Sequence, residues 1–135
     1  MLTSSKSRGE PMPGPVRICL IDDDIFVRDA LALGLGDAGF EVICAPGAAA
    51  GLDMLHREPV RAIITDMNMP GTNGAQFITQ ARALWPTIPI IAISGAAIID
   101  GRNTADIADE LGANATLMKP FRARQLADLI NQILG

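Results

Sequence analysis

The chain has 135 residues, enough for one domain of ordinary size around a single core. Hydrophobic residues make up 49% and charged residues 19%, so a large core is available, and a formal net charge of −4 excludes the basic surface that nucleic acid requires. No apolar run approaches the roughly 18 residues of a membrane span, and no apolar stretch follows Lys6 and Arg8 to make a secretory signal, so the expected compartment is the cytoplasm.

Residues 1–15 are polar and rich in Ser, Pro and Gly, and read as a disordered lead-in to a domain over 16–135. Val16 to Ile21 is a near-continuous apolar run, the pattern of a parallel strand covered on both faces, and it ends on Asp22, Asp23 and Asp24. Phe26, Val27, Ala30, Leu31 and Leu33 to Leu35 follow at helical spacing, with Gly39 where a left-handed cap is needed. A second strand over Glu41 to Ala45, a helix over Ala48 to His56 and a third strand over Ala62 to Thr65 come next. Cys19 and Cys44 lie inside the first two strands and are expected as packed, unbridged thiols. Asp66 closes the third strand, because Met-Asn-Met-Pro-Gly cannot continue it. A helix over Ala75 to Leu84 stops at Trp85-Pro86, and Ile88 to Ile93 is a fourth strand ending on Ser94-Gly95. Gly95 to Asn103 is long and glycine-rich, so the next helix, near Thr104 to Leu111, begins late or is mobile. Thr116 to Met118 is a short fifth strand, and Lys119-Pro120 opens the last helix, Ala123 to Leu134.

Five strand–helix units with apolar strands predict a flavodoxin-like (βα)5 doubly wound parallel sheet, strand order 2-1-3-4-5. In that order Asp22, Asp23, Asp66, Ser94 and Lys119 gather at one sheet edge. Three neighbouring carboxylates repel unless a cation lies among them, and an open all-oxygen cluster suits Mg²⁺. Lys119 is suited to a phosphoryl oxygen and Ser94 supplies a hydroxyl donor, so the set reads as a place where a carboxylate is phosphorylated.

With the acidic pair in C-L-I-D-D-D, the D-M-N-M-P-G-T-N-G run, the S-G after strand 4 and the M-K-P-F run, the chain resembles the receiver domains of two-component response regulators. The resemblance covers residues 16 to 135. It implies that Asp66 is the phosphoacceptor, that Asp23 binds Mg²⁺ directly and Asp22 mainly through water, and that the Asn68 backbone carbonyl is a further ligand. It also implies Ser94 as the switch hydroxyl, Lys119 as the phosphoryl-binding ammonium, a cis peptide before Pro120, and Pro70 and Gly74 as shapers of the acceptor loop. The implied donor is a histidine kinase or histidine phosphotransfer protein, and the implied readout surface is helix 4, strand 5 and helix 5. Here the chain departs from the family pattern: the commonly aromatic position three before the lysine is Thr116, and there is no Tyr. The implied role is a switch whose only chemistry is its own phosphorylation and dephosphorylation. Ending just after the fifth helix, the chain reads as a stand-alone receiver or the receiver piece of a longer regulator.

Other readings fit less of the sequence. Gly34-Leu35-Gly36-Asp37-Ala38-Gly39 is a literal G-x-G-x-x-G, but it lies at the far end of a helix rather than directly after a strand. Asp22-x-Asp24 matches the opening of haloacid-dehalogenase-like phosphatases, yet Asp24 is better placed as a helix cap. A receiver-like module that binds partners without phosphate is the remaining alternative. His56 is expected to be exposed, and Met67 and Met69 to pack in their loop.

Overall fold

The structure, a computed structural model, describes residues 14–68, 74–99 and 101–135. β1 (Arg17–Ile21), β2 (Glu41–Ala45), β3 (Ala62–Asp66), β4 (Ile90–Ser94) and β7 (Ala115–Met118) form one parallel sheet in the order β2-β1-β3-β4-β7. This is the expected 2-1-3-4-5 order, since β7 is the fifth strand of the main sheet. The lead-in expected over residues 1–15 falls almost wholly on residues 1–13, outside the described residues; Gly14 and Pro15 are exposed and irregular.

The helices are α1 (Ile25–Asp37), α2 (Ala48–Arg57), α3 (Gly74–Leu84), α4 (Thr104–Leu111) and α5 (Ala123–Leu134). Alternation along the strands feeds two cores. Cys19, Ile21, Ile63, Ile90 and Ala92 face Leu55, Phe77, Ile78, Ala81 and Ala108 of α2, α3 and α4. Ile18, Leu20, Ile64, Ile91 and Ile93 face Leu31, Leu35, Leu126 and Ile130 of α1 and α5. Each fully buried Ile, Leu or Phe contributes about 1.5–3 kcal/mol, which is what holds the strand ends in fixed register.

Helix ends follow their local chemistry. Asp24 Oδ1 accepts from the N–H groups of Phe26 at 3.0 Å and Val27 at 3.3 Å, so this carboxylate caps α1. Past α1, Gly39 has φ +98° and Phe40 N–H returns to the Leu35 carbonyl at 3.0 Å, closing the helix in the left-handed form expected. Gly34, from the G-x-G-x-x-G run, serves packing: a Cβ there would lie 2.3 Å from Ala123 Cβ, so α1 and α5 approach through it.

Two features differ from the sequence expectations. On α1 only Leu31 and Leu35 are buried, while Phe26 and Leu33 are 84% and 71% exposed, because the helix is apolar on both its inner and outer faces. Between β4 and α4 the chain forms an antiparallel ribbon, β5 (Ile98–Ile99) with β6 (Arg102–Asn103), pairing Ile98 with Asn103 and Ile99 with Arg102. Helix α4 begins at Thr104, capped by Asn103 Oδ1, and Arg102 pairs with Glu110 to tie the ribbon to the helix.

Candidate functional site

Parallel strands end on one edge, so β1, β3, β4 and β7 deliver their last residues to a common crevice. Asp22 and Asp23 follow β1, Asp66 closes β3, Ser94 closes β4 and Lys119 follows β7. Asp22 is fully buried, Asp66 is 4% exposed and Asp23 is exposed. Carboxylate oxygens of the three aspartates lie within 4.8 Å of one another, a spacing one hard cation can span.

Lys119 stands on the inner side of this cluster. Its Nζ donates to Asp66 Oδ2 at 3.0 Å and to Asp22 Oδ2 at 3.2 Å. Burial raises the Asp22 carboxyl above the ordinary aspartate range; the Asp24 N–H, donating to its Oδ1 at 3.0 Å, opposes this, the Asp66 charge adds to it, and Lys119 opposes it. Burial by itself would lower the Lys119 pKa, but its bonds to Asp66 and Asp22 outweigh that and hold the ammonium above its ordinary value. Lys119 alone therefore leaves the acidic cluster short of positive charge, and three oxygen donors facing one another fit a divalent metal.

The other oxygen of Asp66 accepts from Asn68 N–H at 2.9 Å. Asn68 Nδ2 donates to Ser94 Oγ at 3.2 Å, linking the segment after β3 to β4. Ser94 Oγ also accepts from the Ala96 N–H at 3.1 Å and donates to the Ala96 carbonyl at 3.0 Å. The Lys119–Pro120 peptide is cis, and Lys119 N–H donates to the Ser94 carbonyl at 2.7 Å, which sets the two strand ends side by side. Gly74 begins α3 against the end of β3: a Cβ there would lie 2.1 Å from the Asp66 carbonyl oxygen and 2.6 Å from Met67 Cα. Pro70 and Met69 lie outside the described residues, while Met67 is buried in the core beneath the loop.

Besides the Asn68 side-chain bond to Ser94, two contacts have no counterpart among the sequence expectations. Arg28 Nη1 donates to the Asp22 carbonyl at 3.0 Å, bracing the acidic loop from the first turns of α1; its place one turn after Asp24 was the available signal. Thr104, fully buried, donates through Oγ1 to the Ala96 carbonyl at 2.6 Å, and only the ribbon brings it there. The Asp24 side chain is spent on its cap, and His56 is exposed in the last turn of α2, with its ring 5.0 Å from that of Trp85, at the helix end that leads into the start of β3 rather than at the crevice.

A buried carboxylate, a three-carboxylate cluster, an ammonium and a hydroxyl thus share one crevice, and known proteins carry the same fold. Residues 18–131 match the model of the response regulator receiver domain. The response regulator protein FleR of Pseudomonas aeruginosa is 35% identical over 114 residues, covering 84% of this chain and 24% of FleR. The transcriptional regulatory protein PrrA of Mycobacterium tuberculosis is 33% identical over 118 residues, covering 87% of this chain and 49% of PrrA. The chain therefore spans about a quarter to a half of the length of these relatives. Among solved structures, a CheY-like response regulator receiver domain protein from Methanospirillum hungatei superposes with a TM-score of 0.82 at 28% identity, over 90% of this chain and 94% of that one. Sheet order, crevice and sequence agree: the chain belongs to the response regulator receiver domain family, the signalling switches of two-component systems.

Proposed function

We propose that Asp66 is the phosphoacceptor of a phosphorelay switch, the domain being residues 16–135. The observation that carries this is the Lys119 ammonium bonded to both Asp66 and Asp22 beside a three-carboxylate cluster. An Asp66 oxygen forms a bond to phosphorus as the bond from phosphorus to the donor nitrogen breaks, and the leaving imidazole keeps that electron pair. Lys119 has three donors, so it can hold a phosphoryl oxygen and a carboxylate together. Ser94 offers its hydroxyl to another oxygen. Asp23 directly, Asp22 mainly through water, Asp66 and the Asn68 carbonyl would hold Mg²⁺. When bound, the ion supplies positive charge to the transferring oxygens and offsets the repulsion among the carboxylates.

The product is an acyl phosphate of nearly two negative charges, which biases a two-state equilibrium through Ser94 and the segment after β4. The protein is a switch rather than a turnover enzyme, catalysing only its own phosphorylation and dephosphorylation. In the cytoplasm, a histidine kinase or histidine phosphotransfer protein supplies the phosphoryl group, and a protein partner reads α4, β7 and α5, with no direct contact to nucleic acid or membrane. Thr116, half-buried on the edge strand β7, has no aromatic ring to swing, so the signal runs through Ser94 and the backbone.

Intact mass after incubation with acetyl phosphate tests this. The expected result is one added phosphoryl group that requires Mg²⁺ and is lost in Asp66→Asn. Addition that survives in Asp66→Asn but not in Asp24→Asn would favour the phosphatase-like alternative. No addition from acetyl phosphate or a phosphorylated histidine donor would favour a phosphate-independent module.

A further inference from the structure

Ser94 has one hydroxyl proton and two lone pairs, and all three are committed. The proton goes to the Ala96 carbonyl at 3.0 Å, and the lone pairs accept from Ala96 N–H at 3.1 Å and Asn68 Nδ2 at 3.2 Å. Turning that single proton toward a phosphoryl oxygen means leaving the Ala96 carbonyl. A carbonyl stripped of its donor inside a folded loop costs more than a typical hydrogen bond contributes. This one has a second donor, Thr104 Oγ1, at 2.6 Å. Thr104 is the first residue of α4, fully buried, and its own N–H is already bonded to the Ala97 carbonyl at 2.9 Å. The ribbon β5–β6 brings it back to the segment it left eight residues earlier.

We infer that Thr104 is a positioning residue of the switch, holding the Ala96 carbonyl in both states so that Ser94 can turn to the phosphoryl group without stranding an acceptor. The inference rests on the reading of Ser94 as phosphoryl donor. It assigns the ribbon a function: without its two paired strands the start of α4 would not lie over Ala96. It also accounts for how a receiver with Thr116 in place of an aromatic ring links the crevice to α4, since Ser94 and Thr104 meet on one oxygen atom.

Two measurements test it. In urea unfolding of the unphosphorylated protein, either hydroxyl alone satisfies the carbonyl, so neither Ser94→Ala nor Thr104→Val strands it, and the loss of an acceptor for Ala96 N–H and the Asn68 amide in Ser94→Ala is common to both arms of the cycle. The double variant should raise the unfolding constant at least fivefold beyond the product of the single changes; simple additivity would overturn the shared-acceptor premise whatever Asp66 does. Should Thr104→Val fail to fold, Thr104→Ala reads the same cycle without added bulk. In calorimetric titration with beryllium trifluoride and Mg²⁺, a tetrahedral stand-in for the phosphoryl group, Thr104→Val should bind about tenfold more weakly than wild type, a change of about 1.4 kcal/mol. Thr104→Ser should restore binding to within about twofold, and Thr104→Val should have no effect in the Ser94→Ala background, as expected of a residue acting through Ser94. Equal binding by wild type and Thr104→Val overturns this inference alone. Equal behaviour of wild type and Asp66→Asn overturns the phosphoacceptor reading, and this inference with it.

Discussion

Lys119 Nζ lies 3.0 Å from Asp66 Oδ2, and the same nitrogen reaches Asp22 Oδ2 at 3.2 Å, so one ammonium occupies ground that a metal ion would share. Two cations held by the same carboxylates repel, by about 4 kcal/mol per unit charge at 4 Å in partly screened protein and by less where water enters. Lys119→Met should therefore bind Mg²⁺ more tightly than wild type, by about fivefold to tenfold given that Lys119 keeps 23% exposure, yet accept no phosphoryl group. Isothermal titration with MgCl₂ beside intact mass after acetyl phosphate separates the two effects. Weaker Mg²⁺ binding in the variant would show that the ammonium organises the carboxylates rather than competing for them.

Gly74 and Gly36 make a paired test of where glycine is required. At Gly74 an added methyl would press on the Asp66 carbonyl at 2.1 Å, backbone that cannot move without shifting Asp66 itself. Gly74→Ala should cost about 1–3 kcal/mol in unfolding free energy and slow labelling by acetyl phosphate. At Gly36, within α1, nothing lies within 4 Å of the added methyl, so Gly36→Ala should stabilise by about 0.5–1 kcal/mol with labelling unchanged. Equal effects at the two positions would contradict the packing of α3 against the acceptor loop.

The sequence made the sheet edge legible because strand ends are punctuated by residues that cannot continue a strand: Asp22, Asp66 and the Met-Pro-Gly run, Ser94-Gly95 and Lys119-Pro120. Parallel order then brought them together with no further assumption. The inner and outer faces of α1 were not separable, since Leu33 and Leu35 are equally apolar and only packing against α5 and the sheet decides which is buried. The ribbon after β4 was missed although its signal was present. In the sequence an Asp-Gly pair, a dipeptide favoured in two-residue hairpin turns, stands between Ile99 and Arg102, and Gly101 has φ +78°. It was hidden by the shortness of its strands, two residues each, which give no periodicity to read. Neither the bond from Thr104 to the Ala96 carbonyl nor that from the Asn68 side chain to Ser94 is legible in the sequence, because both depend on loop paths rather than on strand register.

Cys19 predicts an alkaline limit to stability that is independent of the crevice. Burial, with the nearby Cys44 adding to it, pushes the Cys19 thiol from 9.0 up to about 12. The unfolded chain loses this proton above pH 9 while the folded chain keeps it, so the contribution is whole below pH 9 and is lost as pH rises toward 12, by about 1.4 kcal/mol per pH unit. The stability difference between wild type and Cys19→Ala in urea should be constant from pH 6 to 8.5 and shrink above pH 9. Lys119 lowers both proteins alike above its own ordinary range and cancels in the difference. A difference that stays constant to pH 11 would place the thiol in contact with water.

Asn68 serves the crevice twice, and its two roles come apart on substitution. Its backbone N–H holds Asp66 Oδ1 at 2.9 Å, while its side-chain amide donates to Ser94 Oγ at 3.2 Å. Asn68→Ala keeps the first bond and the backbone carbonyl but removes the second, so Mg²⁺ affinity should stay within about twofold of wild type. Ser94 is then less firmly held in its resting orientation. A part-buried hydrogen bond of this kind contributes about 0.5–1.5 kcal/mol, and beryllium trifluoride should accordingly bind about twofold to tenfold more tightly in the presence of Mg²⁺. Titrating both ligands against wild type and Asn68→Ala reads the two roles separately. Loss of Mg²⁺ binding would mean that the asparagine side chain, not its carbonyl, faces the metal; weaker beryllium trifluoride binding would mean that its amide bonds the phosphoryl group itself rather than restraining Ser94.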